Sequence, residues 1–273
     1  MQSGAIRPLN NMLTRNLFNA EHEAFRETVR KFYAKEVVPN IEKYEQQQHV
    51  DRELWNKAGA MGLLCATMPE AYGGSGVDRL YSMILIEEQA YAMDSSTGFS
   101  LHSDIVANYI NNFGSEAQKH YWLTRMASGE TVTAIAMTEP GTGSDLQAVR
   151  TTAVLDGDDY IINGSKIFIT NGYLCDMAIV VCKTGDSEKG SANLSLIIVE
   201  ADRAGFSKGK PLNKIGMKGQ DTCELFFDHV RVPKENLLGM EGMGFMMLMK
   251  ELAWERMLVA IICQAGAEAA LAH

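Results

Sequence analysis

The stretch Thr131-Val-Thr-Ala-Ile-Ala-Met-Thr-Glu-Pro-Gly-Thr-Gly-Ser-Asp-Leu-Gln-Ala148 marks a change of texture in the middle of the chain. As far as Met137 it is β-prone and reads as a strand. It then turns through Pro140-Gly-Thr-Gly143 and offers small residues, hydroxyls and backbone N–H groups in quick succession. Such a loop lets a flat heterocycle or a pyrophosphate come close to the backbone. On spacing alone a plain polar turn between two β elements is the simpler reading. No GK[ST] ending follows, so the loop is not a nucleotide P-loop.

Before this stretch the pattern is helical. Phe25, Val29, Phe32 and Val37 recur at helix spacing, and that helix is expected to stop before Pro39. Asp51 is expected to cap a helix carrying Leu54 and Ala58. Gly73-Gly74-Ser75-Gly76 breaks the chain before a helix holding Leu80, Ile84 and Glu87, and Ser115-Glu-Ala-Gln118 has the form of a capping box. After the stretch, Val154 to Ile162 places a Gly turn between two strand-like runs, and further runs follow at 166–170, 178–182, 194–200 and 223–232. Past Pro233 and the Gly-rich 239–244, helical periodicity returns at Phe245 and still runs at His273. The expected class is α+β: a flexible tail 1–17, an all-α helical domain 18–130, an antiparallel β-barrel or sandwich domain 131–240, and from 241–273 the first helix of a bundle whose partner helices are not in this sequence.

A formal charge of −9 with no Lys/Arg tract gives nucleic acid no electrostatic footprint. No apolar stretch reaches membrane-spanning length, since Lys250 and Glu251 interrupt the Met-rich segment near the end. The five cysteines, Cys65, Cys175, Cys182, Cys223 and Cys263, contain no CxxC pair, so neither a disulfide framework nor a metal site is expected, and buried thiols in a reducing compartment are. The first twenty residues lack acids and carry Arg7 and Arg15, a faint presequence character without clear amphipathicity.

Two further segments carry chemistry. Asn163-Gly-Ser-Lys-Ile-Phe-Ile-Thr-Asn-Gly172 reads by itself as an ordinary strand with Phe168 in the core. In the last helix Leu248, Leu252, Val259 and Ile262 form an apolar stripe that contains Glu255. Burial there raises a carboxyl pKa towards the working pH, which suits a general base. Alone, one such Glu is more often solvated or paired, with Arg256 or Arg231 available.

Together these segments resemble the acyl-CoA dehydrogenase family, over essentially the whole chain from Phe18. Phe99-Ser-Leu-His-Ser-Asp-Ile-Val106, Gly219-Gln-Asp-Thr-Cys-Glu-Leu-Phe-Phe227 and Met249-Lys-Glu-Leu-Ala-Trp-Glu-Arg-Met-Leu258 are most similar to its long-chain branch. The resemblance implies FAD as cofactor, bordered by the segment from Ile135 and Ala136 through Gly143 to Ser144. The Met137 backbone and Thr138 would meet the flavin ring, and Ser144 the pyrophosphate and the acyl-CoA. Phe168 would pack on the flavin, where many members have Trp, with Ile169 and Thr170 beside it. It implies Glu255 as the base, since the long-chain and isovaleryl branches take theirs from this helix immediately before the Arg. Met246, Ala253, Trp254, Glu255 and Arg256 would line the substrate site. Glu251 lies one turn from that family position. Met246 stands where relatives place an aromatic, and Ala253 where they place Pro or Asp.

The implied reaction is α,β-dehydrogenation of a long-chain fatty acyl-CoA to the trans-2-enoyl-CoA in β-oxidation, with electrons passed to an electron-transferring flavoprotein. The family normally continues for about another hundred residues, a typical domain's worth, and forms tetramers or dimers, in the mitochondrial matrix of eukaryotes or the cytoplasm of bacteria. The resemblance thus reads the chain as truncated. Two other readings stay open: a branched-chain or short-chain dehydrogenase or flavin oxygenase on the same fold, and a non-catalytic binding or assembly subunit. His102 and Asp104, two apart on an expected helix, do not face one another, and His102 reads as structural. Met243, Met246, Met247 and Met249 read as core.

Overall fold

The structure is a computed structural model and describes residues 15–185 and 193–272. Helix α1 (Ala20–Phe32) opens with Asn19, whose side chain accepts the N–H groups of Glu21 and His22, and it buries His22, Arg26, Val29 and Phe32 along one face. As expected, the helix stops before Pro39, although the chain stays coiled beyond it. A five-residue π turn (Tyr33–Val37) and a 3-10 turn (Val38–Asn40) absorb it, with Pro39 in the opening positions of that turn, where a missing N–H leaves no bond broken. Helix α2 (Ile41–Gln47) follows and stops at Gln48, which adopts a left-handed φ of 64°.

Asp51 stands before α3 (Arg52–Ala60), but makes no side-chain cap. Its carboxylate takes the side chains of Lys43 and Gln47 instead, a stronger pull on a charged oxygen than a helix N–H. Helix α4 (Arg79–Tyr91) begins at Asp78, and a π turn (Leu101–Val106) leads into α5 (Ala107–Phe113). The expected capping box is present: Ser115 Oγ accepts the Gln118 N–H and Gln118 Oε1 accepts that of Ser115, starting α6 (Glu116–Gln118), which continues through a π turn (Lys119–Leu123) into α7 (Thr124–Ala127). Val29, Phe32, Leu54, Trp55, Ile84 and Phe99 form the core of this helical part.

The sheet comprises β1 (Thr133–Ala136), β2 (Thr152–Asp156), β3 (Asp159–Thr170), β4 (Met177–Lys183), β5 (Leu194–Glu200), β6 (Phe206–Lys208), β7 (Thr222–Pro233) and β8 (Leu237–Leu238). Its order is β6-β7-β3-β2-β4-β5-β8, with β1 on β4. Strands β2 and β3 form the expected hairpin around Gly157, whose φ of 65° is open to glycine without strain. Most pairs are antiparallel, but β1 enters from the helical part and pairs with β4 in parallel.

Strands β4 and β5 read as nearly unbroken apolar runs because both faces are covered. Ile179, Val181, Leu196 and Ile198 pack towards the helices, while Ala178, Val180, Ile197 and Val199 pack with β3 and β7. His102 ties the two parts together: Nε2 donates to the Met126 carbonyl at 3.1 Å and Nδ1 accepts from the Thr133 N–H at 3.3 Å. Burial pushes its pKa down to about 4, so it works as a neutral hinge pin rather than a proton carrier. The final helix, α8 (Gly244–Ala272), crosses α4, α5 and β5. Cys65, Cys175, Cys182 and Cys223 are buried free thiols, whereas Cys263, expected to be buried, is exposed on α8. No helix among the described residues is long and apolar enough to cross a membrane.

Candidate flavin and acyl-thioester site

The loop after β1 is built by its own residues. Alternation along β1 sends Ile135 towards the helices and Ala136 into the sheet core. The Glu139 N–H donates to the Thr142 carbonyl at 2.9 Å and the Thr142 N–H returns to Glu139 O at 3.0 Å, closing a turn whose tip is Pro140 and Gly141. Glu139 is itself buried. Its carboxylate takes the backbone N–H of Arg150 at 2.6 Å, that of Thr151 at 2.9 Å and Lys166 Nζ at 2.9 Å. Burial acts to raise its pKa, but the Lys166 charge and these donors outweigh it and hold the carboxyl below the usual range.

Lys166 also donates to the Met137 carbonyl at 3.0 Å, and the Ile167 N–H to the Thr138 carbonyl at 2.9 Å. The two candidate flavin segments are thus stapled to one another. Where they meet, the β3–β7 register breaks between Lys166 and Ile169, and Phe168 sits at φ 60° with 63 % of its surface exposed. A left-handed aromatic turned outward is costly for the fold. Ile169 returns to the core, and Thr170 pairs with Thr222 half-buried.

Gly143 and Ser144 are exposed. A Cβ added at Gly141 or Gly143 would meet no protein atom, so nothing inside the molecule demands glycine there. Small residues beside an outward aromatic leave a shallow, open surface bordered by backbone, which a flat heterocycle with a phosphate tail fits. The sequence reading missed Glu139 and Lys166, the residues that hold this loop in shape.

The face of α8 differs from expectation. Val259 and Ile262 are exposed, and the buried line runs through Gly244, Met247, Leu248, Glu251, Leu258, Ala265 and Ala269. The helix is apolar on more than one side, and packing against α4 and α5 selects a stripe rotated from the one the spacing suggested. Glu255 lies at the edge of that buried line. Tyr109 Oη, on α5, donates to its Oε1 at 2.7 Å. Burial raises the Glu255 pKa and the Glu251 charge adds to this, while the Tyr109 bond and Arg256 oppose it. Arg231 is engaged elsewhere, with Asp156 and Asp159.

Trp254 is stacked under the Arg79 guanidinium, 4.3 Å from its ring centre, whereas Met246, Ala253 and Arg256 are exposed. Of the four methionines read as core, Met247 alone is buried. The loop and the start of α8 meet through one apolar cluster shared by Ile135, Met137, Tyr109, Met247 and Leu248.

The Glu255 carboxyl, made more basic by burial, is bonded to Tyr109, which shares an apolar cluster with Ile135 and Met137 of the loop. Comparison with known proteins agrees with that architecture. Residues 19–130 match the acyl-CoA dehydrogenase N-terminal domain and residues 134–230 its middle domain. The pig (Sus scrofa) mitochondrial long-chain specific acyl-CoA dehydrogenase is 49% identical over 269 residues, covering 98% of this chain and 63% of its own length. The structure of an acyl-CoA dehydrogenase from Geobacillus kaustophilus superposes with a TM-score of 0.91 at 46% identity, covering 94% of this chain and 68% of that one. An acyl-CoA dehydrogenase from Bacillus anthracis, solved with FAD, gives 0.84 at 36% identity, over 93% of this chain and 43% of that one. With both domain matches in order along the chain and the loop, the bulged strand and the carboxylate helix in place, the chain belongs to the acyl-CoA dehydrogenase family, spanning somewhat under two thirds of the length of the curated relatives it matches.

Proposed function

We propose that this chain binds FAD and a long-chain fatty acyl-CoA, and that Glu255 is the base that removes the α-proton as the thioester is desaturated to the trans-2-enoyl-CoA. In this reading 18–130 is the helical domain, 131–240 the flavin-binding and thioester-binding domain, and 241–273 the start of a further helical domain. Bound FAD supplies the hydride acceptor for the β-hydrogen. Residues of the chain do the rest. The run Ile135, Ala136, Met137, Thr138, Gly143 and Ser144 borders the cofactor, Phe168 offers a stacking face, and Ile169 and Thr170 continue that wall. Ser144, Met246, Ala253, Trp254 and Arg256 border the acyl-CoA.

The observation that carries the reading is the Glu255 carboxyl, held by Tyr109 and made more basic by burial. A base of raised pKa takes a carbon-bound proton more readily at neutral pH. The long-chain preference is supported by the 49% identity to the pig long-chain enzyme. Electrons are expected to pass to an electron-transferring flavoprotein and the chain to work within a homo-oligomer, in the mitochondrial matrix of a eukaryote or the cytoplasm of a bacterium.

Reconstitution with FAD followed by anaerobic titration tests the proposal. Palmitoyl-CoA is expected to bleach the flavin spectrum and isovaleryl-CoA to leave it unchanged. Glu255→Gln should keep flavin and thioester binding and abolish bleaching, and bleaching retained in that variant removes Glu255 as the base. A chain that takes up no flavin would favour a binding or assembly subunit.

A further inference from the structure

Helices α5 and α8 meet through three rungs that run in opposite directions along the two chains. Tyr109 Oη donates to Glu255 at 2.7 Å, Asn112 Nδ2 donates to Glu251 Oε1 at 2.8 Å, and the Lys250 ammonium lies 5.2 Å from the Phe113 ring centre. The donors on α5 are three residues apart and the acceptors on α8 four, the spacings that put side chains on one helix face. Two carboxylates on facing turns of a helix repel, and a helix needing only an apolar contact here has no use for both. The second acid is the more buried, with Glu251 only 5 % exposed.

We propose that Tyr109 and Glu251 are positioning residues for Glu255 that act on its proton affinity in opposite senses. Tyr109 favours the charged carboxylate by donating to it, and Glu251, fixed one turn away by Asn112, favours the protonated acid by repulsion. The inference rests on reading Glu255 as the base. Tyr109 is fully buried and tied to the Phe113 ring at 6.2 Å, so its hydroxyl is aimed rather than free. Burial drives its phenol far above the ordinary tyrosine range, which keeps it a donor at every working pH.

The other charged groups around α8 have partners of their own or lie outside this contact. Arg79 of α4 is stacked on Trp254, Asp104 of the turn 101–106 is bonded to Ser82, His102 is held by Met126 and Thr133, and Glu200 of β5 is paired with Arg203. Arg256, on the same helix, is exposed. Burial raises the proton affinity of Glu255 and the exposed Arg256 opposes it; within that setting Tyr109 adds one donor in a fixed direction, and Glu251 one repulsion that keeps the carboxylate from becoming too weak a base.

The test follows the δ-carbon resonances of 13C-labelled glutamates with pH in the chain as it stands, without flavin, the Glu255 signal being assigned by its loss in Glu255→Gln. Tyr109→Phe removes only an oxygen and should raise the Glu255 midpoint by about one pH unit. Glu251→Gln should lower it by about one pH unit. The double variant should return near the original midpoint. Both changes nearly preserve side-chain shape; if only one variant folds, no shift or a shift opposite to the stated one overturns the proposal. Shifts of the same sign, or no shift in either variant, overturn the proposal, because a merely structural contact would change stability without opposing titrations. Since no flavin is involved, that result stands apart from the bleaching experiment that judges Glu255 as the base.

Discussion

Glu139 beneath the loop of the sheet and Asp104 in the helical core are both carboxyl groups withdrawn from water, and their acidities move in opposite directions. Burial penalises the charge in each. Glu139 answers with a lysine and two backbone N–H groups, and its pKa falls. Asp104 has the Ser82 hydroxyl as its carboxylate donor, with Arg79 acting at a distance, and burial pushes its pKa up to about 7. The difference teaches that partners rather than depth decide whether a buried acid stays charged. Glu255 falls between them, partly buried, with one donor and one like charge, which is the condition a base needs.

The most damaging way to break this comparison is to take the lysine away. Lys166→Met leaves the Glu139 carboxylate buried without its countercharge and should cost about 3–5 kcal/mol in denaturant unfolding. It also releases the Met137 carbonyl, so FAD affinity should fall with stability. Adding Glu139→Gln to that variant should recover part of the loss, and a double-mutant cycle gives the coupling. Because the Glu139 pKa is depressed on folding, its contribution is present above the unfolded-state carboxyl pKa and is lost as pH falls through the folded one. Wild-type stability should therefore drop on acidification more steeply than that of the double variant.

Asp104 sharpens the comparison from the other side. Its folded pKa is raised, so folding takes up a proton between the unfolded value of 3.8 and about 7, and stability falls as pH rises through that window. Asp104→Asn should change stability little near pH 4 and raise it at pH 8 by up to about 4 kcal/mol. A thermal shift measured across pH checks this, and a pH-independent effect would mean that the carboxyl is not the source.

Much of this was legible in sequence, and the limits have physical causes. Strand β5 coincides with the run 194–200 because apolar residues covered on both faces leave Ser195 as the one polar interruption before Glu200. The loop after β1 was legible as a turn from its glycines and hydroxyls, and its reading as a cofactor border came from the family resemblance alone. Lys166 was not, since its partner is 27 residues away and the pairing exists only once β3 lies under the loop. The parallel pairing of β1 with β4 was equally hidden, because alternation specifies faces and not neighbours. On α8 the spacing placed Glu255 on an apolar stripe, but a helix apolar on several sides does not declare which stripe its neighbours will cover. Only the packing of α4 and α5 settles that.

The smallest expected effect on stability is at Phe168, where the fold and the proposed cofactor make opposite demands. The ring is mostly exposed and its backbone is left-handed. Replacing it by glycine removes a conformational penalty of roughly 1 kcal/mol and restores a similar amount of unfolded-chain entropy. Phe168→Gly should leave stability within about 1 kcal/mol of the wild type. A stacking contact is worth about 0.5–1.5 kcal/mol, so FAD affinity should fall by about two- to thirteen-fold. Phe168→Trp should keep the affinity, because the wider ring preserves the stacking face. If Phe168→Gly instead unfolds the chain while binding in the surviving fraction is unchanged, the ring belongs to the fold after all. The bulge in β3 would then need a packing reason that its exposure does not provide.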